Sequence, residues 1–207
     1  MNRLPRNFFS RPTLTVARRL LGCCLHHRVD GEVFSGRIVE VEAYTDDAAS
    51  HAANGRRTPR NTVMFGAPGV AYIYFTYGMH HCFNIVTECE NKPGAVLIRG
   101  LDGIDRAAGP ALATRALRLT LRDNRRDVVT DPDLWIEPAA RHLEPIVQTT
   151  RVGIRQAADL HLRLYLLGSP GVSRRDRDAE RSLGWPDSWD TASGNGRKLF
   201  RRVVSRP

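Results

Sequence analysis

The sequence predicts an α+β fold in a single domain, with antiparallel strands and a few helices. Several short apolar runs alternate with period two and are separated by tight turns, which is typical of antiparallel strands. No internal repeat, low-complexity tract or linker divides the chain. At 207 residues and 42% hydrophobic content, the chain is long enough to bury one sizeable core. We therefore expect residues 1–207 to form one domain.

The N-terminal elements follow from local signals. Thr13–Leu21 has helical periodicity and ends at Gly22, a residue that favours helix termination. Cys23–His27 and Glu32–Tyr44 have strand character, and the turn signal Val29-Asp30-Gly31 between them predicts a hairpin. The polar segment 45–63 that follows predicts a long functional loop.

A second hairpin is predicted in the middle of the chain. Val70–Thr76 and His81–Thr87 are strand-like, and Tyr77-Gly78-Met79 interrupts them. Ala95–Arg99 predicts a further short strand, and a helical pattern extends from Gly109 to Leu121.

The C-terminal part is less regular. Segment 122–150 is charged and irregular and receives no assignment, whereas Leu162–Leu167 predicts a strand. After Ser173 the composition is dominated by Arg, Asp, Gly and Ser, which predicts a surface or disordered tail over 174–207.

The charge of the chain indicates a polyanionic partner. A net charge of +9 and a pI near 10.1 favour nucleic acid. Lysine occurs only at Lys92 and Lys198, so almost all of the positive charge is arginine. Codon bias in a GC-rich genome explains that ratio as well as phosphate binding does, but it does not explain the net charge.

The N-terminus and the cysteines predict where the protein works. No secretion signal and no apolar run of membrane-spanning length is present, so we expect a cytoplasmic protein, associated with the nucleoid if it is bacterial. The cysteines have no C-x-x-C spacing, which argues against a zinc ribbon or disulfide framework and for buried or partly buried thiols: Cys23, Cys24, Cys82 and Cys89.

Glu42 is the strongest candidate for chemistry. If Gly36–Tyr44 is a strand, then Glu40, Glu42 and Tyr44 project to one face and apolar residues to the other. Carboxylates beside an aromatic ring suit a pocket, where a carboxylate can act as general base towards water. A lone glutamate on a strand is otherwise a solvated side chain, and the segment alone leaves that alternative open.

Aromatic residues are concentrated near this segment. Four of the five tyrosines, together with His51, lie between residues 44 and 77, which is the composition of a base-stacking surface: Tyr44, Tyr72, Tyr74 and Tyr77. Tyr72 and Tyr74 could instead line one strand face, and His51 could be an exposed loop residue. Tyr77 precedes Gly78 at the hairpin tip, where a large ring can act as a wedge between base pairs. No second His or Cys has zinc-like spacing to His51, so we expect no metal.

These segments together resemble the alkyladenine (3-methylpurine) DNA glycosylase family over roughly residues 12–173. The resemblance is carried by an ordered series of motifs: Gly-Arg-Ile-Val-Glu-Val-Glu-Ala-Tyr (36–44), His51 with Arg57-Thr58-Pro59-Arg60-Asn61, Met64-Phe65, Pro68-Gly69, Tyr72-Ile73-Tyr74, Tyr77-Gly78-Met79, Cys82-Phe83-Asn84, Val96-Leu97-Ile98-Arg99, Arg151-Val152-Gly153-Ile154 and Gly168-Ser169-Pro170. It implies a compact mixed domain with a curved antiparallel sheet, surrounding helices and a protruding hairpin.

The same resemblance implies a function and residue roles. It implies a monofunctional glycosylase that removes alkylated and deaminated purines from duplex DNA without a cofactor or metal. Glu42 would activate the hydrolytic water, which Arg99 and the backbone carbonyl of Val152 would help to hold. The remaining roles concern the DNA: Tyr44, His51 and Tyr74 would enclose the flipped base, Asn84 would line the pocket where a guanine 2-amino group collides, and Tyr77 would fill the gap in the duplex.

Two other classes remain open at this point. A non-catalytic module that binds damaged DNA or RNA would share the charge and the rings but would not need Glu42. A glycosylase with lyase activity needs a nucleophilic amine, and Lys92, in a turn, and Lys198, in the tail, are the only lysines. We expect a monomer, the default for one module that binds one lesion.

Overall fold

The computed structural model describes residues 2–76, 78–139 and 144–185. It divides into a large compact unit, Met1–Arg174, and a small one, Arg175–Pro207. The helices are α1 (Arg6–Phe9), α2 (Thr13–Leu20), α3 (Pro110–Ala116) and α4 (Arg177–Ser182). The strands are β1 (Cys24–Val29), β2 (Glu32–Tyr44), β3 (Ala71–Thr76), β4 (His80–Val86), β5 (Ala95–Asp102), β6 (Leu134–Glu137), β7 (Ile146–Thr149) and β8 (Arg163–Leu166).

All eight strands form one antiparallel sheet. The order along its main path is β3-β4-β5-β2-β1-β6, with β8 paired to β2 and β7 paired to β8. The sheet curls into a half-barrel with a few helices, which confirms the α+β class and the curved antiparallel sheet. No helix in the described part of the chain is long and apolar enough to span a membrane.

Strand β2 organises the sheet because it pairs with three neighbours. Its first half pairs with β1, its second half pairs with β5 on one side, and residues Glu40–Glu42 pair with β8 on the other. The register with β5 shifts between Ile38 and Val41, as at a β-bulge, and a bulge bends a strand. The β1–β2 turn places Asp30 (φ 52°) and Gly31 (φ 83°) in the left-handed region, as a two-residue type I′ hairpin requires.

The core lies on one face of the sheet and is covered by the N-terminal helices. Phe9, Val16 and Leu20 pack there, and the sheet contributes alternate residues of its strands: Val39, Val41, Ala43, Ile73, Phe83, Ile85, Val96 and Ile98. Strand residues of the opposite parity are therefore left for the other face. That other face carries the polar side chains described below.

The segment after β8 reaches β5 through two glycines. A Cβ at Gly100 would collide with the carbonyl oxygen of Gly171, and a Cβ at Gly171 would collide with the carbonyl oxygen of Leu101. The Gly171 amide donates a 2.7 Å hydrogen bond to Oδ1 of Asp102. The close approach places the following residues, up to Arg174, next to the polar face.

Two predictions about elements were wrong. The helical pattern over Gly109–Leu121 yields only α3, because Arg118 adopts a left-handed conformation (φ 54°) just after the helix. Segment 122–150, which received no assignment, contributes β6 and β7. In the tail, α4 begins at the capping residue Asp176, whereas residues 186–207 lie outside the described part.

The four cysteines are free, as expected, but their burial differs. Cys23 and Cys82 are buried and Cys24 is partly buried, whereas Cys89 is exposed, contrary to the expectation of burial. Burial raises the pKa of the Cys23 thiol to about 11, so this thiol is an unreactive core group.

Candidate active site

One row of residues crosses five strands on the polar face of the sheet. Each member is the direct partner of the next, in the order Tyr72 (β3), Asn84 (β4), Leu97 (β5), Glu42 (β2) and Arg163 (β8). Directly opposed residues project to the same face of a sheet. The candidate base-pocket residue Asn84 and the candidate general base Glu42 therefore share one surface.

Glu42 is buried and surrounded by donors. Its residue exposure is 0%, so it is not a solvated strand residue. Its Oε1 accepts a 2.7 Å hydrogen bond from the Val152 amide and lies 3.4 Å from Nη1 of Arg99, and its Oε2 accepts a 2.8 Å bond from the Tyr44 hydroxyl. An ionised carboxylate can only accept hydrogen bonds, and these donors satisfy it. Three residues that the family resemblance assigns to one site thus meet at this carboxylate.

Glu40 is also fully buried, two residues earlier on the same strand. Its Oε1 accepts hydrogen bonds from Arg99 Nε (3.2 Å) and Arg163 Nη1 (3.0 Å), and its Oε2 accepts a 2.6 Å bond from the Ser173 amide. Two buried carboxylates are therefore balanced by two buried guanidinium groups, which offsets the desolvation of the charges. Sequence reasoning gave Glu40 no role, and the structure makes it the anchor of Arg99.

Arg99 links the two carboxylates. Besides its contacts with Glu40 and Glu42, its Nη2 donates a 3.2 Å hydrogen bond to the Ser173 hydroxyl. Burial alone would lower the pKa of Arg99, but the charges of Glu42 and Glu40 raise it above its ordinary value. The guanidinium is therefore a permanent cation held against the candidate base.

Val152 reaches Glu42 because Arg151 is fastened to the end of β2. Arg151 forms a bidentate pair with Asp47, at 2.6 and 3.0 Å, and donates a 3.2 Å hydrogen bond to the Ala43 carbonyl. This pairing lowers the pKa of the Asp47 carboxyl, although burial opposes the shift. The contact of Val152 with Glu42 is made by its N–H group. The role of its carbonyl group towards water stays a prediction.

Rings lie beside the carboxylate. The Tyr44 phenol is half-buried, and desolvation, the Glu42 charge and the hydrogen bond to Glu42 raise its pKa well above the usual range. The His51 ring packs against Tyr74 with 4.7 Å between centroids, in an edge-to-face arrangement, and Tyr74 packs on Tyr72 at 5.4 Å. Desolvation also raises the pKa of Tyr74. The three predicted pocket rings thus stay uncharged phenols or imidazole near neutral pH.

Hydrogen bonds hold both the ring and the backbone of His51, and the residue remains exposed. A 2.8 Å hydrogen bond joins its Nδ1 to the hydroxyl of the buried Tyr72. Its pKa is lowered by desolvation and by the charge of Arg60, which favours the neutral ring. Asn61, 1% exposed, donates from Nδ2 to the His51 carbonyl (2.6 Å) and to the Arg56 carbonyl (2.8 Å). Asn61 therefore holds the loop that carries His51.

Asn84 is buried at the base of this surface. Its Nδ2 donates a 3.0 Å hydrogen bond to the Tyr72 carbonyl, which fixes the orientation of the amide. Cys82 lies two pairs further along the hairpin, opposite Tyr74, and burial raises the pKa of its thiol. Its neighbours Tyr74 and Asn84 therefore adjoin a neutral, inert group.

The predicted wedge Tyr77 lies outside the described residues. The hairpin end on either side of it exposes large apolar groups: Phe75 is 43% and Met79 is 70% exposed. Among the described residues, no three His, Cys, Asp or Glu side chains come together so that they could hold a metal ion.

Sequence reasoning missed several supporting residues. Asp47, Arg60 and Ser173 act through contacts with residues distant in sequence, and Asn61 acts through backbone carbonyls of its own loop. The local pattern around all four is that of ordinary loops. Tyr72 was singled out as a possible stacking ring, whereas at 1% exposure it supports His51 from within a second apolar cluster.

The chain matches known proteins over most of its length. Residues 7–170 match the model of the family described as methylpurine-DNA glycosylase (MPG). A protein of Carboxydothermus hydrogenoformans is 44% identical over 192 residues, covering 83% of this chain and 99% of the relative. One of Methanoculleus marisnigri is 46% identical over 192 residues, with 83% and 99% covered, and one of Legionella pneumophila is 42% identical over 183 residues, with 84% and 100% covered.

Each of these relatives carries a name that provisionally assigns it 3-methyladenine DNA glycosylase activity. The matched range contains Glu42, the second hairpin and the segment around Val152. Because the family model covers most of the chain and the relatives are covered almost completely, the resemblance noted in the sequence is confirmed, and the chain belongs to the methylpurine-DNA glycosylase family, whose members hydrolyse N-glycosyl bonds in DNA.

Proposed function

We propose that this protein is a monofunctional glycosylase that flips alkylated or deaminated purines out of duplex DNA and hydrolyses their N-glycosidic bond with water. One observation carries the proposal: the fully buried carboxylate of Glu42 is held by Val152, Arg99 and Tyr44. It lies beside a surface of three rings, which we call the ring surface: Tyr44, His51 and Tyr74. A buried carboxylate so held is suited to taking a proton from water. A binding module has no need of it.

The chemistry follows from the charge that develops on the sugar. As the C1′–N bond breaks, the purine leaves with the bonding electrons and the sugar becomes oxocarbenium-like. Glu42 stabilises that positive charge and takes a proton from the attacking water, whose oxygen forms the new bond to C1′. Arg99 and the Val152 carbonyl are proposed to hold the water. Because Arg99 also donates a hydrogen bond to Glu40, its positive charge is shared between two carboxylates and does not fully neutralise Glu42.

The ring surface provides the place for the extruded base. Flipping a nucleotide costs a few kcal/mol, least for damaged pairs, and base–aromatic stacking contributes about 1–3 kcal/mol per base. Tyr44, Tyr74 and His51 are proposed to enclose the base, and Asn84 to exclude purines with a 2-amino group. Because the phenol pKa values of Tyr44 and Tyr74 are raised, these rings bring no negative charge that would compete with Glu42.

The second hairpin is proposed to enter the DNA. Tyr77 would occupy the gap left by the extruded nucleotide, and the exposed apolar side chains of Phe75 and Met79 flank it on the hairpin end. Apolar wedges between base steps are a common device of proteins that bind the minor groove. The protein is proposed to act as a cytoplasmic monomer on damaged duplex DNA.

Water is the proposed nucleophile because the amines are poorly suited. Lys92 lies 2.9 Å from Glu88, and the hydrogen bond and charge of Glu88 raise the pKa of this exposed lysine. An amine that attacks a sugar must be unprotonated, so the pairing opposes a lyase reaction at Lys92. Lys198 lies outside the described residues.

The test is a base-release assay on duplex oligonucleotides that each carry one lesion without a 2-amino group: 3-methyladenine, ethenoadenine or hypoxanthine. We expect a free purine and an intact strand that breaks only after alkali. Borohydride added during the reaction should trap no covalent protein–DNA adduct. Lesion binding without base release would instead identify a non-catalytic module, and a trapped adduct would identify a lyase.

A further inference from the structure

Three arginines lie near the ring surface, and two of them are neutralised. Arg99 contacts Glu40 and Glu42, and Arg151 forms a bidentate pair with Asp47. Arg151 also lies over the Tyr44 ring, with Cζ 4.8 Å from the centroid. Each of these cations therefore brings its own counter-charge to the site.

Arg60 is different. Its Cζ lies 4.9 Å from the centroid of the Tyr74 ring, and its Nη2 donates a 3.2 Å hydrogen bond to the Phe75 carbonyl. Within the ranges that the structure describes, no carboxylate lies within ion-pair distance of Arg60. Its positive charge is held over a pocket ring with no compensating anion among the described residues.

The charge of Arg60 acts on the pocket. It adds to desolvation in lowering the pKa of His51, and it opposes the desolvation that raises the pKa of Tyr72 to about 12. It likewise counteracts the larger effect of desolvation on the pKa of Tyr74. These three groups line or support the surface that the extruded base is proposed to occupy, so a base placed there would lie within the field of Arg60 as well.

Damaged purines differ in charge. Alkylation at N3 or N7 of a purine in DNA produces a cation, whereas deamination or formation of an etheno ring leaves the base neutral. A cationic base gains from stacking on electron-rich rings, but a guanidinium already lies over the Tyr74 ring and repels a second positive charge. A neutral base meets no such repulsion.

We propose that Arg60 is a specificity-determining residue that biases this site towards uncharged purine lesions and against cationic ones. The inference rests on the proposed function, because it assigns a substrate class to the same ring surface. Arg60 sets the discrimination through its charge. It is not required for the hydrolytic step, which depends on Glu42.

The test compares Arg60→Gln with the unaltered protein on one duplex that carries either 3-methyladenine, which is cationic, or hypoxanthine, which is neutral; neither base has the 2-amino group that Asn84 is proposed to exclude. Single-turnover excision rates and dissociation constants are measured for both lesions. Removal of one partly screened charge should raise the ratio of 3-methyladenine to hypoxanthine by roughly threefold to tenfold in excision rate or affinity. Arg60→Lys, which keeps the charge, should leave the ratio near that of the unaltered protein.

Arg57→Gln is the matched control. Arg57 belongs to the same exposed loop, lies over the Phe65 ring at 4.2 Å and donates a 2.8 Å hydrogen bond to Oδ1 of Asn91, and neither contact involves a proposed pocket ring. Arg57→Gln should change the excision rates and affinities for both lesions by the same factor, so the ratio between the two lesions should stay unchanged.

Several outcomes would overturn the inference. Arg60→Gln could lower the affinity for both lesions by the same factor and reduce the salt dependence of binding, which would make Arg60 a phosphate contact. The ratio could also change in the opposite direction, or change equally in Arg57→Gln. If the unaltered protein released neither base, the proposed function would fail, while the ratio of dissociation constants would still decide the role of Arg60.

Discussion

The hydroxyl of Tyr44 donates a 2.8 Å hydrogen bond to Oε2 of Glu42, two residues earlier on the same strand. The strand geometry alone places both side chains on one face, and the bond fixes each relative to the other. The phenol holds its proton because its pKa is raised. A proposed stacking ring and the proposed general base are thus oriented by a single contact.

The first prediction concerns Glu42. Glu42→Gln keeps the size of the side chain but removes its capacity to take a proton, so single-turnover excision should fall by at least about 10²-fold while lesion binding is retained. The matched control is Glu32→Gln at the exposed start of the same strand, where the side chain is 3.9 Å from Arg118. Undiminished excision by Glu42→Gln would contradict the general-base role.

Glu40→Gln should affect stability more than a surface change would. The substitution leaves Arg99 and Arg163 with less negative charge than their burial requires, and breaking a buried ion pair costs about 3–5 kcal/mol. Urea unfolding, compared with Glu32→Gln, measures the effect. A loss no larger than that of the control would show that Ser173 and Glu42 hold Arg99 without Glu40.

Tyr77→Ala tests the proposed wedge. The loss of the ring should weaken binding to lesion duplexes and slow flipping, because no group then fills the vacated position. Excision from a single-stranded substrate, which needs no wedge, should suffer less. Equal losses on single-stranded and duplex substrates would indicate that Tyr77 has a purely structural role.

His27 predicts a pH dependence of stability. This buried ring contacts the Leu117 carbonyl through Nδ1 (2.7 Å) and Asp123 through Nε2 (3.4 Å), with Arg126 Nη1 3.3 Å from Nε2. Burial alone would lower the pKa of His27, but hydrogen bonds to Asp123 and to the Leu117 carbonyl raise it above 6.5.

A pKa that is higher in the folded state stabilises the protein fully below the unfolded-state value of about 6.5, and the contribution disappears as the pH rises through the folded-state value. The free energy of unfolding should therefore decrease as the pH rises above about 6.5 and through the raised folded-state pKa of His27. In His27→Gln this decrease should be smaller. Urea titrations of the unaltered protein and of His27→Gln at several pH values measure this decrease. Parallel curves of unfolding free energy against pH would exclude His27 as the cause.

The last prediction concerns salt. A chain of net charge +9 that meets DNA through five or six phosphate contacts should show a slope of log K against log salt of roughly −5. Fluorescence anisotropy with a duplex at several salt concentrations measures the slope. A value near zero would attribute the arginine content to codon bias.

Local patterns predicted the parts of the site that lie on one strand. Period-two alternation was enough to place Glu42 and Tyr44 together, and turn signals were enough to locate both hairpins. The contributions of Arg99 and Val152 came only from the family resemblance, because these residues join Glu42 through sheet pairing and a loop contact that no local pattern encodes.

The errors have physical causes as well. Strands β6 and β7 have four residues each, too short for alternation to stand out among charged neighbours. The role of Glu40 depends on Arg163 and Ser173, which approach it only when β8 and the segment after it have joined the sheet. Arg60 and Asn61 likewise acquire their contacts from the folding of a loop.

The close contact between Gly100 and Gly171 means that the site depends on the absence of a side chain at two positions. The amide of Ser173 can reach Glu40 only because neither glycine carries a side chain, although neither touches the proposed substrate surface. A single methyl group at either position would push the two backbones apart and weaken the hydrogen bond from the Ser173 amide to Glu40. Any larger residue at Gly100 or Gly171 would have to displace backbone atoms, so the placement of the two buried carboxylates depends on residues that lie outside the proposed substrate surface.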